Sequence, residues 1–245
     1  LVAICVLGVW QRLWLYLQAR PLWLDPAMLA LNILDKGPRE LFGPLDWNQG
    51  APVGFLLLEK AAVAAFGDSE LALGAVPFVC AVAALLLFAL VAWHAFHPAV
   101  AAVLVLPFAV SATAIFYAAE VKQYSADLLA VALLLWATAE TVRKRADATS
   151  VGTFLLIGIF NTWISHASGF AMAAGLVATW WALPRRSSSE RRRFTLMAFV
   201  VLVHWTAMAW FLTRRTLPGG ALDYHARSFL PVTDPVELVS WCSAL

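Results

Sequence analysis

The sequence predicts an all-α fold: a polytopic bundle of about seven transmembrane helices, with two further juxtamembrane helices lying flat in the first outer loop. Hydrophobic residues make up 62% of the 245 residues and charged residues only 13%, whereas a soluble domain is about half apolar and a quarter charged. The apolar residues fall in runs of about 20, enough to cross about 30 Å of hydrocarbon. Basic residues gather in two short loops, as in the cytoplasmic loops of membrane proteins. We therefore expect residues 1–245 to form one transmembrane domain.

Seven runs are predicted to span the membrane, and the charges between them orient the chain. The runs lie near 1–19, 71–95, 98–118, 124–142, 150–166, 167–183 and 194–213. The basic loops at 143–145 and 185–193 are separated by two spans, so both can be cytoplasmic. Counting back and forward from them places the loops 20–70, 118–124 and 214–236 on the extracytoplasmic side.

The segment 51–67, APVGFLLLEKAAVAAFG, decides whether two acids share a side of the membrane. It is apolar but short, and Glu59 and Lys60 at its middle would each cost about 2.5–3.5 kcal/mol at a bilayer centre. We predict an interfacial helix that lies flat. Asp25 and Glu120 then share the outer face, whereas a crossing helix would place them on opposite faces.

Asp25 precedes Pro26 in the stretch DPAMLALNIL of the first outer loop. Proline is favoured at the first position of a helix, and an aspartate before it can accept from the free N–H groups of the first turn. The simplest interpretation of Asp25 is an N-cap worth about 1 kcal/mol. Capping is compatible with catalysis, because a carboxylate held by backbone N–H groups stays ionised and oriented.

A second polar cluster lies in YAAEVKQYSAD, residues 117–127, between the third and fourth predicted spans. At helical spacing four of its side chains share one face, with Lys122 beside them: Glu120, Gln123, Tyr124 and Asp127. Polar groups that enter a span usually face a cavity or the bundle interior. A lysine and carboxylates there suit a phosphate-bearing lipid whose head group reacts. The alternative is an outer turn whose lysine meets lipid head groups.

Three stretches, LWLDPAMLALNIL, GPLDWNQGAPVGFLLLEKAAVAAFGDSELAL and FYAAEVKQYSAD, resemble bacterial membrane proteins of glycosyltransferase family 39. These are relatives of the protein O-mannosyltransferases and aminoarabinose transferases and have the GT-C architecture. The resemblance covers roughly residues 20–130. It implies an inverting glycosyltransferase of the bacterial plasma membrane that uses a polyprenyl-phosphate sugar as donor and acts on the extracytoplasmic side. The acceptor, whether protein, lipid or glycan, stays open.

The resemblance also implies roles for particular residues. Asp25 matches the first-loop acid, which acts as catalytic base, and Glu120 matches the second-loop acid, which orients the acceptor, a water or a metal. Substrate-binding residues are then expected among nine polar side chains of the outer side: Asn48, Gln49, Lys122, Gln123, Tyr124, Asp127, His166, Arg214 and Arg215. The chain departs from the family at Pro26, where a glutamate is usual, and at Gly74, where an arginine is common. It also has Asn48 and Gln49 where the aminoarabinose transferases have a lysine, so phosphate binding is expected from Lys122, Arg214 or Arg215. A catalytically inactive homologue is therefore an alternative.

Other function classes are weighed against a transferase. A transporter or flippase of lipid-linked sugars would bind the same head group without chemistry, although the sequence shows no inverted repeat or broken helix pair. The net charge of +2 and the lack of a basic run interleaved with aromatics argue against a nucleic-acid partner. The three cysteines lie far apart and predict neither a disulfide frame nor a metal site. Two carboxylates facing one cavity would suit a divalent cation, but nothing in the sequence requires a cofactor.

Two features of the outer side keep more than one interpretation, and the termini predict a fragment. His166 lies at the junction of two predicted spans, where it either lines the cavity or has a structural role. The stretch 222–231, LDYHARSFLP, is interpreted as a solvated loop or as a contact for the acceptor or lipid. The chain starts at Leu1 and stops within the apolar ELVSWCSAL, so we expect a fragment of a longer protein.

Overall fold

The computed structural model describes residues 1–182 and 188–216, and the long elements of that part of the chain are all helices. They are α1 (Val2–Leu17), α2 (Leu24–Asp35), α3 (Val53–Phe66), α4 (Glu70–Ala95), α5 (Pro98–Val110), α6 (Ala112–Phe116), α7 (Tyr124–Arg143), α8 (Ala148–Ile164), α9 (Ser168–Ala182) and α10 (Ser188–Thr216). The predicted all-α class is confirmed. Each predicted apolar run contains one helix, except that the third is divided at Ser111 into α5 and α6.

Two helices of the described part, α4 and α7, are long and apolar enough to cross a membrane by length and composition. They contain 26 and 20 residues. The helices α1, α5 and α8 are also apolar but shorter, with 16, 13 and 17 residues. Two candidate spans are therefore present, and the seven-span arrangement stays a prediction.

The centre of the bundle is the contact between α4 and α7. Helix α7 also packs on α8 and α9, while α4 also packs on α1, α3 and α5. Small residues dominate the buried faces of both central helices, including Ala84 and Ala89 on α4 and Ala126 and Ala130 on α7. Small side chains allow helix backbones to approach closely, which is the packing mode typical of membrane helices.

One end of the bundle gathers the polar connections, and we call it the polar end. It consists of the end of α1, the start of α2, the start of α4, the α6–α7 turn at residues 117–123 and the α8–α9 turn at residues 165–167. The Tyr16 hydroxyl donates to the carbonyl of Leu71 at 2.8 Å, which joins the end of α1 to the start of α4. Arg20, just after α1, pairs with Glu120 at 3.2 Å. Segments far apart in sequence therefore meet at this end.

The opposite end carries part of the predicted basic loops. Arg143, in the last turn of α7, pairs with Glu140 at 2.7 Å. The guanidinium of Arg191 lies 5.1 Å from the ring centroid of Trp180, joining α10 to α9. Residues 185–187 of the second basic loop lie outside the described residues.

The ambiguous segment 51–67 forms α3, whose 14 residues rise about 21 Å at 1.5 Å per residue. That length is shorter than the hydrocarbon core of about 30 Å. The Lys60 ammonium donates to the carbonyls of Ile33 and Leu34 at 2.8 and 2.9 Å, which satisfies the C-terminal end of α2. The charge of Lys60 therefore binds α3 to α2.

Arg12, within the first predicted span, is fully buried and closes the break between α5 and α6. Its guanidinium donates to the carbonyls of Ala109 at 3.0 Å and Phe108 at 3.1 Å. These carbonyls lie at the end of α5, where a helix has no N–H partners of its own. The arginine therefore acts as a helix cap supplied by a neighbouring helix.

We predict that Gly54→Ala destabilises the protein and that Gly152→Ala does not. A Cβ at residue 54 would lie 2.6 Å from the carbonyl oxygen of Trp163, and a backbone atom cannot move away cheaply. Overpacking of this kind costs about 1–3 kcal/mol. Residue 152 is also a helical glycine and has nothing within 4 Å of its Cβ position, so alanine there is neutral or gains about 0.4–1 kcal/mol. Thermal unfolding of both purified variants checks this, and equal midpoints would contradict it.

Candidate functional site

Asp25 lies at the polar end in the first turn of α2. The helix begins at Leu24, with Trp23 in the N-cap position and no side-chain capping bond. The N-cap interpretation of Asp25 is therefore wrong: the aspartate is the second helical residue, and its carboxylate points to other segments. Pro26 is still within the first turn, where its missing N–H costs no hydrogen bond.

The Asp25 carboxylate belongs to a closed ring of three side chains. Its Oδ2 lies 2.8 Å from Nζ of Lys122, and its Oδ1 accepts from Nε2 of Gln49 at 3.0 Å. Lys122 also donates to Oε1 of Gln49 at 2.9 Å. The ring thus joins α2, the loop before α3 and the α6–α7 turn, and we call it the Asp25 ring.

Glu120 lies in the same turn as Lys122 but has a different partner. Its Oε1 pairs with Nη2 of Arg20 at 3.2 Å, and its side chain is 11% exposed. The Arg20 guanidinium also lies 5.0 Å from the ring centroid of Phe116. Two acid–base pairs therefore stand side by side at the polar end, each connecting the first loop to the α6–α7 turn.

The predicted common helical face of the second cluster is wrong, because residues 117–123 form a turn and α7 begins at Tyr124. The turn explains why Glu120 and Lys122 have separate partners. Tyr124 stacks edge-on against Tyr117 at 4.5 Å between ring centroids. The Gln123 Oε1 is buried and has no partner among the described residues. The Asp127 carboxylate faces the Ser165 hydroxyl and the N–H of Ala167, at the α8–α9 turn.

The other predicted site residues have varied positions. Asn48 is exposed and has a left-handed backbone with φ of 54°, which asparagine tolerates better than most residues. His166 is exposed in the α8–α9 turn. Arg214 and Arg215 lie in the last turn of α10, but their side chains lie outside the described residues, as do the loop 217–236 and Cys242.

The two acids differ in proton affinity. The hydrogen bond from Lys122 holds the pKa of Asp25 below its ordinary value, with Gln49 adding to the effect and partial burial opposing it. Burial raises the pKa of Glu120, and the charge of Arg20 opposes this rise. The Asp25 pair thus stabilises the fold above the pKa of the unfolded chain, and this stability is lost as pH falls through the folded value. Glu120 favours the fold in its neutral form, an effect lost as pH rises through its raised pKa.

Two residues of this region were missed by the sequence analysis. Arg20 follows the first apolar run directly, and its partner lies 100 positions away, so sequence spacing gives no sign of the pair. Glu59 was noted only for its cost in a bilayer. It is fully buried in α3, and both of its carboxylate oxygens have no partner among the described residues. Burial raises the pKa of Glu59 well above its ordinary value.

An apolar groove of about 670 Å³ lies on the outside of the bundle between α1 and α4. Its walls include Val6, Trp10, Leu13, Leu86, Leu90 and Trp93. Since the N-terminal half of α1 and the C-terminal half of α4 lie away from the polar end, the groove is on the far half of the bundle from Asp25.

The arrangement at the polar end suits two groups side by side: an anionic group, such as a phosphate, and a hydroxyl that gives up its proton. Lys122 can hold a phosphate oxygen, and the half-exposed Asp25, with 56% of its side chain accessible, can meet a substrate. Among residues 1–182 and the described part of α10 there is no group of three or more metal-binding side chains.

Comparison of the chain with protein-family models, with curated proteins and with solved structures gives no match. The resemblance to glycosyltransferase family 39 therefore stays a prediction, and the polar end is interpreted from its own geometry.

We predict that Lys122→Gln raises the pKa of Asp25. The hydrogen bond from Lys122 is the largest cause of the lowered value, so its removal returns the carboxyl towards an ordinary aspartate. Infrared titration of the protonated carboxyl band, assigned by its loss in Asp25→Asn, measures this change. Lys36→Gln is the matched control, because Lys36 pairs with Asp46 at the same 2.8 Å and should leave Asp25 unaffected. An unchanged Asp25 titration in Lys122→Gln would contradict the assignment.

Proposed function

We propose that the chain is the membrane domain of an inverting glycosyltransferase with the GT-C architecture. It moves a sugar from a polyprenyl-phosphate donor to an acceptor on the extracytoplasmic side of a bacterial plasma membrane. The observation that carries this proposal is the contact between the Asp25 carboxylate and the Lys122 ammonium at 2.8 Å. A base and a phosphate-binding cation are the two groups that such a transfer needs at one place.

The reaction follows from these two groups. Asp25 accepts the proton of the acceptor hydroxyl, whose oxygen forms a bond to the anomeric carbon of the sugar. The bond from that carbon to the phosphate oxygen breaks on the opposite face, so the anomeric configuration inverts. The polyprenyl phosphate leaves with the bonding electron pair, and Lys122 stabilises the added negative charge. Glu120, held by Arg20 at 3.2 Å, orients the acceptor or a water.

The membrane arrangement in this proposal has seven spans: α1, α4, α5 with α6, α7, α8, α9 and α10. The polar end faces outward and the end with Arg143 faces the cytoplasm, as the positive-inside rule favours. Helices α2 and α3 lie at the outer interface, where the 14 residues of α3 are too few to cross. The prenyl chain extends from Lys122 into the bilayer along the outside of the bundle.

A transporter of lipid-linked sugars is the second candidate, and Glu59 is the observation that favours it. This carboxyl is fully buried, it has no partner among the described residues, and burial raises its pKa well above the ordinary value, so it can take up or release a proton. Proton-coupled carriers use such groups. In a transporter, substitution of Glu59 would abolish lipid movement and Asp25 would have no chemical step to perform.

We predict that Asp25→Asn abolishes sugar transfer. A general base contributes about 10²–10⁴ to a rate, so transfer of labelled sugar from a polyprenyl-phosphate donor should fall at least 100-fold. Asp46→Asn is the matched control, because Asp46 also pairs with a lysine at 2.8 Å and its side chain is 60% exposed, against 56% for Asp25. Full transfer activity in Asp25→Asn would remove this residue from the mechanism.

We predict that single cysteines at positions 23 and 68 are labelled from outside and that one at 144 is not. In a background without Cys5, Cys80 and Cys242, the variants Trp23→Cys, Asp68→Cys and Lys144→Cys are treated with an impermeant maleimide in right-side-out vesicles. All three positions are exposed in the structure. Labelling of 23 but not 68 would show that α3 crosses the membrane, and the outer site would then be lost.

A further inference from the structure

Two protein acceptors engage the lysine of the Asp25 ring. Nζ of Lys122 contacts Oδ2 of Asp25 at 2.8 Å and Oε1 of Gln49 at 2.9 Å. The lysine side chain is 9% exposed, whereas the aspartate side chain is 56% exposed. The carboxylate is therefore the more accessible partner of the pair, and the ammonium is covered by its acceptors.

The second cation of the polar end is engaged in the same way. Arg20 pairs with Glu120 at 3.2 Å, and its guanidinium also lies over the ring of Phe116, 5.0 Å from the ring centroid.

A phosphodiester oxygen of the donor and the carboxylate oxygen of Asp25 compete for the Lys122 ammonium, since both accept short charge-assisted hydrogen bonds. Both cannot keep full contact with Lys122 without bringing two negative charges together.

We propose that the Asp25–Lys122 ion pair is a latch that the donor phosphate opens by taking the place of the aspartate on Lys122. Gln49 bonds to both partners, through Nε2 to Asp25 and through Oε1 to Lys122. It can therefore keep its bond to either partner when the other moves. This inference rests on the proposed function and adds an order of events to it.

Opening of the latch changes Asp25 from a poor base into a stronger one. While Lys122 is bound to it, the carboxylate is stabilised in its ionised form and accepts protons weakly. Loss of the ammonium and arrival of a phosphate charge nearby both favour protonation of Asp25. The base is thus released only when the donor is present.

Binding of a polyprenyl monophosphate to the full chain in lipid nanodiscs tests the latch without any turnover. Neutralising Asp25 frees Lys122 from its competitor, so Asp25→Asn should bind the monophosphate about tenfold more tightly than the native chain, an amount typical of one charge-assisted contact. The gain should vanish in Asp25→Asn/Lys122→Gln, because the ammonium is then absent. Asp46→Asn, the matched acid paired with Lys36, should bind like the native chain.

The uncharged polyprenol, which has the same hydrocarbon but no phosphate, separates the latch from general loosening of the site. Its affinity should be the same in the native chain and in Asp25→Asn. Asp25→Ser provides a second neutral variant if Asp25→Asn does not elute as a folded, monodisperse protein.

The contrary outcomes separate failure of the latch from failure of the proposed function. Equal affinity of the native chain and Asp25→Asn for the monophosphate overturns the latch but leaves the proposed donor site intact. A gain for polyprenol as large as that for the monophosphate also overturns the latch. No binding of the monophosphate by the native chain or by either neutral variant overturns the proposed function, and the latch with it.

Discussion

A lysine buried in an apolar helix bundle must have partners, and Lys122 meets this requirement through Asp25 and Gln49. Removing an ammonium ion from water costs several kcal/mol unless an anion and further hydrogen bonds compensate. The position of Lys122 in the α6–α7 turn therefore constrains where α2 and the loop before α3 can lie. The Arg20–Glu120 pair adds a second connection between the first loop and the same turn. The geometry of the polar end depends on these two ion pairs.

The bundle contains two kinds of buried or half-buried cation, and they differ in what they can do. Arg12 and Lys60 donate to backbone carbonyls at helix ends, as shown by contacts to Ala109 and Ile33. Such acceptors are fixed by the backbone, so these cations serve as helix caps. Lys122 and Arg20 instead pair with carboxylate side chains, which can rotate away without disturbing a helix. Cations of the second kind are suited to exchange their partner for a ligand, and the polar end contains two of them.

The sequence predicts the helices better than the site, for physical reasons. Long apolar runs define helices without knowledge of their neighbours, and the shortness of the segment 51–67 is visible directly. The environment of Asp25 depends on residues far along the chain: its N-cap interpretation used local preference alone, whereas its carboxylate pairs with Lys122. The face predicted for residues 120–127 was wrong, because a helical period was extended through a turn. The pair of Arg20 with Glu120 was not predicted, since nothing in the local sequence of Arg20 indicates its partner.

The central claim is that the first loop and the α6–α7 turn meet on one side of the membrane through Asp25 and Lys122. Cross-linking in native membranes tests it most directly. In the cysteine-free background, Asp25→Cys is combined with Lys122→Cys or with Lys144→Cys, a short bis-maleimide is added, and a protease site introduced between α4 and α5 reports whether the two fragments stay joined. The account predicts that the 25/122 fragments stay joined and the 25/144 fragments separate. Separation of the 25/122 fragments with joining of the 25/144 fragments would contradict it.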